Sequence, residues 1–233
     1  MGNQELQKRI VSTYNSLRFG MFAIAAVTPI VVVVWGYVFG VAWQDSISAY
    51  YFAPLGNNWT YSVYPVRVLF VGLLFALGSF LCLYKGFSTR ERIALNLAGL
   101  FALGVALCPM YAETGYIALS NILHFVFAVL LFICMAYTAI FCHEETVQWL
   151  TDKKLRQRYR ATYHVIGWFM GLFPMVGLTL AVFFSATQRY VFWIEAAGIW
   201  AFAAYWFTKS RELSTSEFEM KVVTGTLPLR PPA

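Results

Sequence analysis

Four ionisable side chains fall within or at the edge of long apolar runs: Arg67, Glu113, His124 and Glu195. A charge in hydrocarbon is costly, so each asks for a partner or a function. His124 and Glu195 each lie about five residues into an apolar run, which at 1.5 Å per residue puts both roughly 7–8 Å below the same boundary. Ser120 precedes His124 by one helical turn and shares its face. An imidazole beside a hydroxyl and carboxylates suits acid–base or metal-assisted hydrolysis, with His124 as base or ligand and Ser120, Glu113 or Glu195 assisting. His124, Glu113 and Glu195 are also ligand types that zinc accepts. No metal-binding spacing accompanies them, and no cofactor is expected. A non-catalytic account uses the same groups: Arg67 is neutralised by Glu113 or Asp45, and the cluster anchors a loop or lines a ligand pocket.

That loop is Gln44 to Pro65, rich in aromatics and nearly free of Lys and Arg. It brings Asp45, Ser46, Ser48, Tyr50 and Tyr51 to the level of the buried groups. The candidate ligand pocket is therefore Asp45, Ser46, Ser48, Tyr50, Tyr51, Arg67, Glu113, Ser120, His124 and Glu195. Trp43, Tyr50, Tyr51, Phe52, Trp59, Tyr61 and Tyr64 would lie at headgroup depth, where amphipathic rings are favoured. The other two histidines are excluded from this site, since His143 is 19 residues beyond His124, roughly 28 Å along one helix, and His164 shares the side of His143.

The elements that must position these groups follow from composition. The 233 residues are 60% hydrophobic and 12% charged, far from the roughly 45–50% and 25% of soluble domains. The expected fold is all-α: a polytopic six-helix transmembrane bundle with spans at about 19–42, 66–84, 93–111, 119–142, 165–185 and 190–208, and a flexible cytoplasmic tail over 211–233. Fifteen of the seventeen Lys and Arg residues lie on one side, leaving Arg67 and Arg189 opposite. By the positive-inside rule both termini are cytoplasmic and the aromatic loop is outside. The inner halves of the spans read as almost wholly apolar, with Asn96 at one entrance.

The net charge of +6 does not point to nucleic acid, because the basic residues gather beside apolar ends. Lys153, Lys154, Arg156, Arg158 and Arg160 form the densest group, placed to meet anionic lipid headgroups. Cys82, Cys108, Cys134 and Cys142 lie in or at the ends of apolar runs and read as core packers. Gly36 with Gly40 and Gly167 with Gly171 form GxxxG pairs, candidate faces for a partner membrane subunit or a second copy.

The spacing Ser120-x-x-x-His124 resembles the membrane zinc hydrolases that include alkaline ceramidases and adiponectin-type receptors. That likeness implies a His-x-x-x-His pair in the last helix, and YVFWIEAAGIWAFAAYWFT has no histidine. The segments SISAYY (Ser46 to Tyr51), VRVLFVGLLFALG (Val66 to Gly78) and NLAGLFALGVALCP (Asn96 to Pro109) resemble a group of uncharacterised bacterial six-helix membrane proteins, distantly similar to the DRAM/Sfk-type proteins. This implies six spans and an integral protein of the bacterial inner membrane, and brings no catalytic residues. Three functions remain open: a non-enzymatic protein whose outer pocket binds a lipid or small amphiphile or docks a partner, a lipid hydrolase using His124, and a transporter or channel.

Overall fold

The computed structural model describes residues 2–53, 64–108, 119–183 and 189–232. Glu113, Trp59 and Tyr61 lie outside them. Among the described residues the chain is all-helical: α1 (Asn3–Val38), α2 (Pro65–Leu83), α3 (Thr89–Leu107), α4 (Leu119–Tyr137), the short α5 (Glu144–Val147), α6 (Lys153–Phe183), α7 (Arg189–Ser216) and α8 (Phe218–Thr224). Four stretches are long and apolar enough to cross a membrane: Asn3–Val38, Pro65–Leu83, Leu119–Val147 and Tyr190–Ser216.

Local chemistry sets the ends. Gly40, at φ 69°, terminates α1, and Val41 N–H closes the turn onto Gly36 O at 2.9 Å. Pro65 opens α2, where its missing N–H costs nothing. Ser88 caps α3 by accepting Glu91 N–H at 3.2 Å, while the Glu91 carboxylate accepts Phe87 N–H at 2.7 Å. Asp152 accepts Lys154 N–H at 2.8 Å at the start of α6. A single wide turn, Thr138–Cys142, joins α4 to α5.

The long helices pack as a closed ring of neighbours: α1 on α2, α2 on α3, α3 on α4, α4 on α6, α6 on α7, and α7 back on α1. Val34, Trp168, Phe169 and Leu172 are exposed on its outside, as suits a bundle in hydrocarbon. Without a hydrophobic drive between helices, close approach depends on small residues. A Cβ on Gly99 would lie 2.5 Å from Cys82 Sγ and 2.7 Å from Gly78 O, so α2 and α3 meet backbone to backbone there. Three of the four GxxxG glycines pack within the chain: Gly36 lies under the Tyr50 ring, Gly167 packs on Ile140 and Gly171 on Ala136, while Gly40 ends its helix and stays exposed.

At the end of the ring opposite the loop after α1, α7 runs on to Ser216 and α8 follows, laying Phe218 edge-on against Phe87 at 5.1 Å and beside Trp149. One expectation is corrected there, for this end is not apolar but rich in buried charge: Arg18, Glu91, Lys209, Glu212 and Glu219 are all buried. Lys209 Nζ donates to Thr146 Oγ1 at 2.7 Å and lies 3.7 Å from Glu212 and 3.9 Å from Glu91. Tyr163 donates its hydroxyl to Glu212 at 2.9 Å. Arg18 grips Glu219 with both terminal nitrogens, one at 2.8 Å. Hydropathy hides these groups because they lie just beyond the apolar stretches, where α1, α7 and α8 still pack against one another.

Removing one partner of a buried pair strands the other charge. Glu219→Ala is expected to lower stability by about 3–5 kcal/mol in chemical denaturation of the detergent-solubilised protein. The double variant Arg18→Met/Glu219→Leu should lose clearly less; an equal loss would count against the stranded-charge account.

Candidate functional site

Inside the half of the ring beneath the loop after α1 is a cavity of about 350 Å³. Its body is apolar, walled by Phe70, Leu74, Leu77, Phe132, Ile199 and Phe202 from α2, α4 and α7. Its roof is the loop after α1, which contributes Gln44, Asp45, Ser46, Ile47 and Ser48. His124 of α4 and Glu195 of α7 complete the polar end.

Glu195 holds the roof down. Its Oε2 accepts Ile47 N–H at 2.7 Å and Ser48 N–H at 3.3 Å. A third tie runs the other way, from Phe192 N–H to Asp45 O at 2.8 Å. The loop tightens into a short 3-10 turn, Ser48–Tyr51, whose entry is fixed by Ser46 Oγ accepting Ala49 N–H at 3.0 Å. Chain reversal buries backbone N–H groups that need acceptors, and one carboxylate supplies two of them.

His124 sits opposite. Its Nδ1 lies 2.8 Å from Cys108 O and its Nε2 3.0 Å from Ser48 Oγ. A carbonyl only accepts, so Nδ1 carries the proton, and in the neutral ring Nε2 takes the Ser48 hydroxyl proton. Ser48 Oγ is also 3.5 Å from Glu195 Oε1. One hydroxyl proton serves one partner well, and the 3.0 Å histidine has the better geometry. His124 and Glu195 thus converge on Ser48 without a direct bond to each other.

Of the sequence-derived pocket residues, Asp45, Ser46, Ser48, His124 and Glu195 line the cavity, and Tyr50, Tyr51, Arg67 and Ser120 stand outside its wall. Tyr50 is buried in the outer core with Val32, Val66 and Phe192. Burial pushes its phenol above the ordinary range, so it packs there as a neutral group. Arg67 forms no ion pair with Asp45. Its guanidinium is stacked among Tyr51, Phe52 and Tyr64 at 4.8, 4.6 and 4.1 Å, and its Nε donates to Tyr51 O at 3.3 Å. The partners that sequence reading missed are backbone groups: Ile47 N–H, Ser48 N–H and Cys108 O, which side-chain types do not reveal.

Among the described residues no group of three His, Cys, Asp or Glu could hold a metal ion. Of the candidate ligands, His124 has both ring nitrogens engaged. At the other face, Arg156 donates to Leu150 O and Pro232 O, and Arg160 pairs with Glu144. Lys153, Lys154 and Arg158 stay exposed.

Glu195→Ala is expected to orphan two loop N–H groups, costing about 1–3 kcal/mol and raising the rate of proteolysis within 44–53. Glu195→Gln keeps an acceptor and should leave that rate near wild type; equal cleavage of both variants would remove Glu195 as the docking group. No family model, curated protein or solved structure matches this chain, so its functional reading rests on the geometry of this site.

Proposed function

We propose that the chain is a six-span integral membrane protein of the bacterial inner membrane, with both termini cytoplasmic, that holds a lipid or small amphiphile in its outer-half cavity. The reading takes α3 and the apolar part of α6 as spans beside the four longer apolar stretches, since both stand in the same ring of neighbours. The distribution of Lys and Arg supports the orientation. The exposed Lys153, Lys154 and Arg158 then face anionic headgroups on the inner side.

The observation that carries the function is the cavity itself: an apolar body under a polar roof matches the two halves of an amphiphile. Its volume is at the small end of ligand sites, which run from about 300 to 1,000 Å³. That suits one chain better than a two-chain phospholipid. Docking of a partner subunit is the weaker variant, because Gly36, Gly167 and Gly171 of the two GxxxG pairs are packed within the chain.

A hydrolase is the second reading, favoured by one contact. Ser48 Oγ lies 3.0 Å from His124 Nε2, and Cys108 O orients the ring from behind, the arrangement of a nucleophile, a base and an orienting group. Against it, the Ser48 and Ile47 N–H groups that would steady an oxyanion are occupied by Glu195.

Native mass spectrometry of the protein extracted from its own membrane should detect one bound amphiphile per chain, lost when Ala128→Trp fills the cavity. Absence of any adduct from the wild type would overturn the binding reading. A fluorophosphonate probe separates the hydrolase: labelling at Ser48 that disappears in His124→Ala would replace the binding reading with the catalytic one.

A further inference from the structure

The cavity has a charge character that restricts its guest. Its described lining contains two carboxylates, Asp45 and Glu195, and no Lys or Arg. Arg67, the basic residue nearest in sequence to the roof, is held in its aromatic cage and does not reach the wall. An anionic headgroup would therefore meet the half-buried Glu195 and the exposed Asp45 with no Lys or Arg in the described lining to offset them.

The free valences agree with the charge. Glu195 Oε2 is occupied by two N–H donors, whereas among the described residues Oε1 has only the Ser48 hydroxyl at 3.5 Å. That hydroxyl gives its proton to His124 Nε2 at 3.0 Å, leaving the Ser48 lone pairs and Glu195 Oε1 as open acceptors. The Thr28 hydroxyl on the wall is spent on Ile24 O at 2.6 Å. The open positions on Glu195 and Ser48 thus accept protons, and an ammonium group offers three donors with a positive charge.

Building on the cavity-binding reading, we infer that the guest is a single-chain amphiphile with an amine headgroup, its nitrogen against Glu195 Oε1 and Ser48 Oγ and its chain among Leu74, Phe132 and Phe202. The apolar body accepts the chain, and the roof closes over the head. A charge-assisted hydrogen bond out of water is stronger than a neutral one, so discrimination over an alcohol of equal length should be about ten-fold or more.

The test is equilibrium binding of radiolabelled dodecylamine, dodecanol and dodecanoate to the full chain in phosphatidylcholine nanodiscs, counted above empty nanodiscs. Dodecylamine is expected to saturate at one site per chain, about ten-fold tighter than dodecanol, with no saturable dodecanoate. Glu195→Gln should bring the amine down to the level of the alcohol, while its proteolysis rate within 44–53, expected near wild type, shows that the variant is folded. Ser48→Ala should keep a preference for the amine. Equal binding of amine and alcohol to the wild type, a preference that survives Glu195→Gln, or tightest binding of dodecanoate would overturn the headgroup assignment and leave cavity binding standing. No saturable binding of any of the three, with Ala128→Trp indistinguishable from wild type, would overturn both.

Discussion

The half of this protein beneath the loop after α1 depends on one carboxylate accepting backbone N–H groups from another part of the chain. A loop that folds back over a helical ring takes its own amides away from water, and the helices beneath have no spare backbone acceptors to offer. Glu195 meets that need for Ile47 and Ser48 from a position on α7 that would otherwise be expensive to polarise. Once the loop is held, Ser48 stands where His124 can take its hydroxyl, and Tyr50 drops onto Gly36 to close the outer core. The cavity is what remains between this roof and the ring: apolar side chains below and the Glu195 and Ser48 oxygens above.

The other end of the ring solves the opposite problem. There, charges gather into pairs and bridges instead of accepting backbone groups: Lys209 lies between Glu91 and Glu212 with Thr146 and Tyr163 filling in, and Arg18 is clasped by Glu219. Glu91 does two jobs, completing the cap of α3 and standing near the buried ammonium. Between the ends lies an apolar layer that includes Leu81, Met135, Phe202 and Trp206. Along α7, Glu195 and Lys209 are fourteen residues apart, about 21 Å of helix. A conducting path would need polar groups through that interval, which weighs against the channel reading.

What the chain discloses as a sequence divides along physical lines. The depth of His124 and Glu195 follows from counting residues into apolar runs, and Ser46 and Ser48 follow from loop proximity. The pairing that gives these residues meaning does not follow, because it runs through Cys108 O and through two amides every residue type possesses. The GxxxG pairs show what a motif leaves open: small residues mark close approach, but whether the approaching group is another copy, a neighbouring helix or the ring of Tyr50 depends on tertiary placement. Lys209 and Glu212 were hidden for a related reason. Hydropathy ends a span at the first charge, whereas α7 continues to Ser216 because partners on α3, on α6 and in the Thr146 turn await its charged face.

The distribution of donors around Glu195 also bears on catalysis against binding. A nucleophilic serine needs its own amide and a neighbour free to receive developing negative charge. Here that place is filled by a protein carboxylate, which stabilises the loop and in the same position repels an oxyanion. Freeing the amides would require Glu195 to leave, and Glu195 is what holds Ser48 near His124. The two requirements conflict on one residue. A guest that brings donors to Glu195 Oε1, and leaves Oε2 with the loop, meets no such conflict. The same carboxylate can then hold the roof and recognise what lies beneath it.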